Sequence, residues 1–134
     1  MNDLQLADDV LARIRSRGEP YHERAYLFIL ATIEFLQSRL ELRRHVTGAE
    51  LAWACRDFAL QQFGLLAPVV LAHWGVHRTE DVGRIVFTLV EIGLLVTQPG
   101  DHESDFEGVY QFADVFGDSY EWQGLRGARA AGGG

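Results

Sequence analysis

Residues 79–95, TEDVGRIVFTLVEIGLL, decide the fold because their pattern is that of one buried helix. An apolar residue recurs every three or four positions, which places a continuous stripe on a single helix face. The members of this stripe are Val82, Ile85, Val86, Leu89 and Val90. Thr79 is a favourable N-cap residue, and Gly93 stands where a left-handed residue commonly ends a helix. The stretch therefore predicts a helix from about residue 79 to Gly93.

A glycine inside this helix predicts a close neighbour. Gly83 costs about 1 kcal/mol relative to alanine in a helix interior, so the missing side chain must serve packing. We expect another backbone to approach there, with residues 65–74 as the neighbouring helix and residues 75–78 as the connecting turn. A helix-turn-helix unit followed by a hairpin is a winged-helix-like arrangement.

The same spacing predicts four further helices, over residues 4–17, 21–44, 47–63 and 65–74. Thr47 and Glu50 have the spacing of a capping box at the start of the third. The predicted fold is mainly α, with about five helices, a helix-turn-helix or winged-helix-like core, and a short C-terminal β-hairpin or extended acidic segment. Residues 1–121 form one domain, in which 1–18 are the N-terminal helix and 96–121 an acidic aromatic, wing-like segment. Residues 122–134, rich in Gly, Ala and Arg, are expected to be a disordered tail.

Composition limits the class of protein. The chain has 134 residues, of which 48% are hydrophobic, and this suits a single globular domain. We find no run of eighteen apolar residues and no signal-peptide pattern, so a cytoplasmic protein without membrane association is expected. The single cysteine, Cys55, lies in an apolar helical pattern and is expected to be a buried, inert thiol.

The charge is concentrated in the second half of the chain. Residues 1–78 contain nine acids and nine arginines, whereas residues 79–134 contain ten acids and three arginines, so the net charge of −7 belongs to the second part. The non-core positions of the 79–95 helix include Glu80, Asp81 and Glu91 against Arg84 alone. Because phosphates attract Lys and Arg and repel carboxylates, this face disfavours the nucleic-acid binding that a winged helix suggests.

An acidic aromatic segment is the candidate partner-binding site. Acids alternate along it, which in an extended chain would place them on one face. Aromatic residues follow among the acids and are candidate anchors for a partner, although they could equally close the domain's own core. The candidate residues are Asp101, Glu103, Asp105, Phe106, Glu107, Tyr110, Phe112 and Phe116. Their charge predicts a protein partner with a basic surface.

A second candidate is a group of arginines at the end of the 21–44 helix, namely Arg39, Arg43 and Arg44. Basic residues in a last helical turn are favoured by the helix dipole alone. The functional alternative is a patch that binds an anion.

The sequence contains no recognisable catalytic, metal-binding or cofactor-binding motif. His73, His77 and Asp81 are spaced by four, but Gly75 interrupts the helix that would place them on one face. No phosphate-binding glycine loop, dinucleotide fingerprint or nucleophile elbow occurs. We therefore expect no cofactor and no metal, and the sequence favours a non-enzymatic role without excluding catalysis by a pair of carboxylates.

Several stretches together resemble one known family. They are AYLFILATIEF, HVTGAEL, FALQQFG, LAPVVLAHWGVHRTEDVGRIVFTLVEIGLL and SDFEGVYQF, which lie within residues 21–116. The chain resembles a short uncharacterised bacterial family described as restricted to Verrucomicrobia and Planctomycetes. This family has no established function, so the resemblance implies no catalytic residue, substrate or cofactor.

The sequence favours a non-enzymatic protein-interaction module that docks through the acidic aromatic segment. A winged-helix regulator that binds nucleic acid is the first alternative, and an enzyme without a recognisable motif is the second. The oligomeric state is left open.

Overall fold

The computed structural model describes residues 3–17 and 20–116. In this part of the chain the secondary structure is helical, without a strand, so the mainly α class is confirmed. The α-helices are α1 (Asp3–Ser16), α2 (Glu23–Ser38), α3 (Gly48–Phe63), α4 (Ala67–His73), α5 (Thr79–Glu91) and α6 (Phe112–Phe116). Two 3₁₀ helices complete it, the first at Gly64–Leu66 and the second at Glu103–Phe106. The predicted tail at 122–134 and the end of the acidic segment at 117–121 lie outside the described residues.

Helix α2 is central to the packing of the domain, because it contacts both α3 and α5. Its inward face buries Tyr26, Ile29 and Thr32, which are at most 2% exposed. The apolar stripe of α5 meets this face, and Ile85 and Leu89 are fully buried. Burial of side chains of this size stabilises the fold by about 1.5–3 kcal/mol each. Four residues of the predicted stripe, Val82, Ile85, Val86 and Leu89, are therefore confirmed as core residues, whereas Val90 is only partly buried.

The ends of α5 are stabilised by different groups. At the start, one carboxylate oxygen of Asp81 accepts the backbone N–H groups of His77 (2.8 Å) and Arg78 (3.2 Å). Thr79 is the first helical residue rather than the predicted N-cap, and its hydroxyl accepts the N–H of Val109 instead. At the end, Gly93 has the predicted left-handed conformation, with φ of +86°.

Helix α2 is shorter than predicted, because it ends at Ser38 and not near residue 44. The side-chain amide of Gln37 makes two hydrogen bonds to the backbone of Arg44, one to its carbonyl (2.6 Å) and one from its N–H (3.2 Å). These bonds satisfy the backbone carbonyl and N–H of Arg44, which lies after the end of the helix and close to its last turn. By contrast, the predicted capping box of Thr47 and Glu50 is present at the start of α3.

The connection between α4 and α5 occupies residues 74–78. Gly75 has a φ of +88°, and the N–H of Val76 donates to the carbonyl of Leu71 at 2.9 Å, which closes the end of α4. Helix α4 packs against α3, the first 3₁₀ helix and α6, whereas α5 packs mainly against α2 and the second 3₁₀ helix. None of the described helices has the length and apolar character that crossing a bilayer requires.

The predicted hairpin is not found in residues 96–116, none of which is in a strand. Two aspartates fold the chain locally instead. Asp101 accepts the N–H of Gln98 at 2.7 Å, and Asp105 accepts the N–H of His102 at 3.0 Å. Such side-chain bonds to the nearby backbone compete with a strand ladder and favour turns.

Candidate functional site

The aromatic ring of Phe106 lies between α3 and α5, at the two glycines that those helices present. A Cβ at Gly83 would lie 2.8 Å from Phe106 Cβ, and one at Gly48 would lie 3.1 Å from Phe106 Cε1. Phe106 is 4% exposed. The missing side chain of Gly83 therefore makes room for an aromatic ring. The prediction that the backbone of residues 65–74 approaches Gly83 is wrong.

The other aromatic residues of the segment also turn inward. The hydroxyl of Tyr110 donates to the carbonyl of Ala52 at 2.7 Å, and its ring lies 4.6 Å from that of Trp53. Burial raises the pKa of Tyr110 far above its ordinary value. Phe116 is buried and Phe112 is partly buried.

These positions contradict the prediction that Phe106, Tyr110 and Phe116 anchor a partner. Their rings complete the domain's own core, which the sequence had left as the alternative. The physical reason is that the ring of Phe106 fills space that α3 and α5 leave at their glycines. The sequence signal was the pair of glycines inside or beside helical patterns, at positions 48 and 83.

The acids of the segment have two roles. Asp101 and Asp105 hold turns through their bonds to the backbone. Glu103 and Glu107 are exposed and flank the buried Phe106. The prediction of four acids on one face of an extended chain is wrong, because residues 103–106 form a 3₁₀ helix.

One further acid joins Glu103, Asp105 and Glu107 at the surface. Glu80, in the first turn of α5, accepts the N–H of Gly108 at 3.2 Å, so it lies beside these residues. We refer to Glu80, Glu103, Asp105 and Glu107 as the acidic surface. Arg78 and Arg84 line a cleft together with Glu80 and Glu103, so cations border the acidic surface on one side.

The predicted anion patch is largely neutralised. Each of its arginines forms an ion pair with a carboxylate: Arg39 with Asp57 (3.2 Å), Arg43 with Glu34 (3.0 Å) and Arg44 with Glu50 (2.8 Å). The three cations therefore lie beside three anions. An incoming anion would have to compete with these carboxylates.

A groove adjoins the acidic surface, between α2, the start of α3, α5 and residues 95–106, with a volume of about 170 Å³. Its apolar side is formed by residues that include Ile33, Leu51, Val86, Phe87 and Val90. At its rim, His45 Nε2 lies 3.0 Å from a carboxylate oxygen of Asp101. No sequence motif indicated this groove, because its walls come from four separate segments.

The candidate metal residues take structural roles. Asp81 accepts the hydroxyl of Tyr21 at 2.6 Å in addition to the N–H groups of His77 and Arg78. Burial, together with this hydrogen bond, raises the pKa of Tyr21. Within residues 3–17 and 20–116, no group of three or more His, Cys, Asp or Glu side chains is arranged to hold a metal ion.

The chain's single thiol lies in the interior. Cys55 is 4% exposed, and burial raises its pKa to about 12. A thiol with this pKa is protonated at neutral pH and is a poor nucleophile. The expected buried thiol is therefore what the fold contains, and Cys55 is not among the residues that line the groove.

The face of α5 that a nucleic acid would contact is mixed in charge. Its exposed charged residues are Glu80, Arg84 and Glu91. Arg13 of α1 and Arg17, the residue after α1, reach the end of α5, but Arg13 donates to the carbonyl of Ile92 (3.1 Å) and Arg17 pairs with Glu91 (2.6 Å). These arginines stabilise the helix end rather than form a continuous cationic groove.

Comparison of the chain with protein-family models, with curated proteins and with solved structures finds no match. The resemblance to the bacterial family stays a prediction.

Proposed function

We propose that this chain is a non-enzymatic protein-interaction module that binds a basic segment of a partner protein at its acidic surface. The observation that carries the proposal is the exposure of Glu103, Asp105 and Glu107 on both sides of the buried Phe106. Complementary charge at an interface accelerates association and discriminates between partners. The partner's chemistry, a surface rich in Lys or Arg, follows from the sign of this charge.

The packing of Phe106 supports a rigid surface. Because the ring is held between Gly48 and Gly83, the backbone that carries the neighbouring acids is anchored to the fold. A surface that is ordered before binding loses less conformational entropy when a partner docks. The predicted aromatic anchors thus act indirectly, by supporting the acids rather than by contacting the partner.

The alternative of a winged-helix regulator has less support. The exposed charges of α5 include two glutamates, which disfavour approach to phosphates. The arginines that α1 brings to α5 are bonded to Ile92 and Glu91. The alternative of an enzyme also has less support, because Cys55 is buried and is not among the residues that line the groove beside the His45–Asp101 pair.

The test is the binding of a labelled arginine-rich peptide to the full chain, measured by fluorescence anisotropy. The variant Glu103→Gln/Glu107→Gln removes two exposed charges that hold no backbone group in the contacts described here. The control Asp8→Asn/Asp9→Asn removes two exposed charges from α1 and gives the same net charge.

We expect the first variant to bind about fivefold more weakly, since exposed ion pairs contribute roughly 0.2–1 kcal/mol each and 1.4 kcal/mol is tenfold. The control variant should bind as the parent chain does, and added salt should weaken binding of all three proteins. If the two double variants bind the peptide with equal affinity, the proposal that the acidic surface binds it is refuted. Retention of duplex DNA at low salt, in place of the peptide, would favour the regulator.

A further inference from the structure

The groove beside the acidic surface has an apolar interior and a polar rim. Val86, Phe87 and Val90 contribute one wall from α5, and Ile33 contributes from α2. At its edge, Val96 is 90% exposed, although an apolar side chain is stabilised by leaving water. The groove therefore presents apolar surface that residues 3–17 and 20–116 leave uncovered.

The size of the groove indicates what it can accept. Its volume is about 170 Å³. An engineered protein cavity of about 150 Å³ accommodates benzene, whereas most cofactor and drug-sized ligand pockets are about 300–1,000 Å³. The groove thus has room for one group of the size of a phenyl ring or a leucine side chain.

The charges at the rim favour a cation beside that group. Asp101 and Asp105 both line the groove. The one arginine of the lining, Arg44, is paired with Glu50 at 2.8 Å, so its charge is offset. An apolar side chain next to a positively charged residue would match both the apolar interior of the groove and its acidic rim.

We propose that the groove binds one leucine- or phenylalanine-sized side chain of the partner's basic segment, with an adjacent arginine or lysine against Asp101 or Asp105. This inference rests on the proposed function and specifies the partner further. The acidic surface attracts the basic segment, and the groove selects a segment that has an apolar residue between its basic ones.

The test compares two peptides, GRFRG and GRARG, which differ only in the central side chain. Binding to the full chain is measured by two-dimensional amide NMR titration. We expect GRFRG to bind about tenfold more tightly, because its phenylalanine side chain leaves water on entering the groove and the alanine of GRARG has little apolar surface to bury. The amide signals of Val86, Phe87 and Val96 should shift with GRFRG, and those of Leu65 and Val69 on the other helices should not.

Two matched variants separate the groove from general apolar surface. Val96→Ser changes the rim, and Val69→Ser changes a valine on α4 that is 63% exposed and is not among the groove's lining residues. We expect Val96→Ser to reduce the affinity for GRFRG toward that for GRARG, and Val69→Ser to leave both affinities unchanged.

The possible outcomes bear on the two proposals in different ways. If the parent chain binds the two peptides equally and Glu103→Gln/Glu107→Gln binds both more weakly, the proposal for the groove is refuted and the proposal for the acidic surface is supported. Amide shifts at Leu65 and Val69 in place of the groove would also overturn it. Failure of both peptides to bind would count against the groove and the proposed function together.

Discussion

The contact between Gly83 and Phe106 makes a sharp prediction about stability, which the substitution Gly83→Ala tests. In an open helix, alanine in place of glycine stabilises by about 1 kcal/mol. Here the added Cβ would lie 2.8 Å from Phe106 Cβ and 2.9 Å from Cγ and Cδ1. These atoms form the stem and ring of a buried side chain, so they cannot move aside at low cost.

The expected magnitude follows from two opposing contributions. Overpacking a closely packed core destabilises by about 1–3 kcal/mol, and the contact with Phe106 Cβ places this site at the upper end of that range. Subtracting the helix-propensity gain of about 1 kcal/mol leaves a net loss of about 1–2 kcal/mol in the free energy of unfolding. Each kcal/mol corresponds to about 3–5 °C in Tm for a chain of this size.

Urea unfolding followed by tryptophan fluorescence measures this loss, and a double-mutant cycle assigns its cause. Gly83→Ala, Phe106→Ala and the double variant are compared with the parent chain. We expect the double variant to be more stable than the sum of the single effects predicts, because loss of the ring removes Phe106 Cγ and Cδ1, two of the three atoms that the added Cβ would meet. A stability increase of about 1 kcal/mol for Gly83→Ala alone would refute the packing argument.

Three further predictions concern groups elsewhere in the fold. Asp81→Ala should lower the free energy of unfolding by about 2–3 kcal/mol, because Tyr21, His77 and Arg78 each lose an acceptor, and thermal melting followed by circular dichroism checks it. Cys55 should react with a thiol reagent such as DTNB only in urea, since burial raises its pKa to about 12; rapid reaction of the folded chain would contradict this. Hydrogen bonds from Arg44 and the Thr47 backbone lower the pKa of Glu50 to about 2, so its stabilising contribution is present above pH 4.5 and is lost as the pH falls toward 2. Glu50→Gln should therefore flatten the dependence of stability on pH in that range, and an unchanged slope would argue against the contribution.

The sequence predicted the end of a helix correctly where that end is determined by residues within a few positions of it. The capping box of Thr47 and Glu50 and the left-handed Gly93 both occur as expected. The end of α2 was misplaced, because Gln37 bonds to the backbone of Arg44, seven residues away. The spacing of apolar residues along a helix does not indicate that a side chain will bond to backbone groups beyond the helix end.

In the candidate site, too, the sequence indicated local features but not the contacts between distant residues. Sequence alone indicated that residues 101–107 are acidic, but it did not indicate that Asp101 and Asp105 hold turns while Glu103 and Glu107 stay exposed. The arginines of the predicted anion patch gained carboxylate partners from α2 and α3. The groove could not be predicted, because no single segment contributes more than part of its wall.

The amino-acid sequence by itself determined the helical class, the buried stripe of α5 and the concentration of negative charge after residue 79, since periodicity and composition are local properties. Only the tertiary structure decided that Phe106 occupies the space at Gly48 and Gly83, which brings residues more than twenty positions apart into contact. Packing between distant segments depends on the shape of all of them at once. That shape is why the aromatic residues support the acidic surface from within and the carboxylates beside them face the solvent.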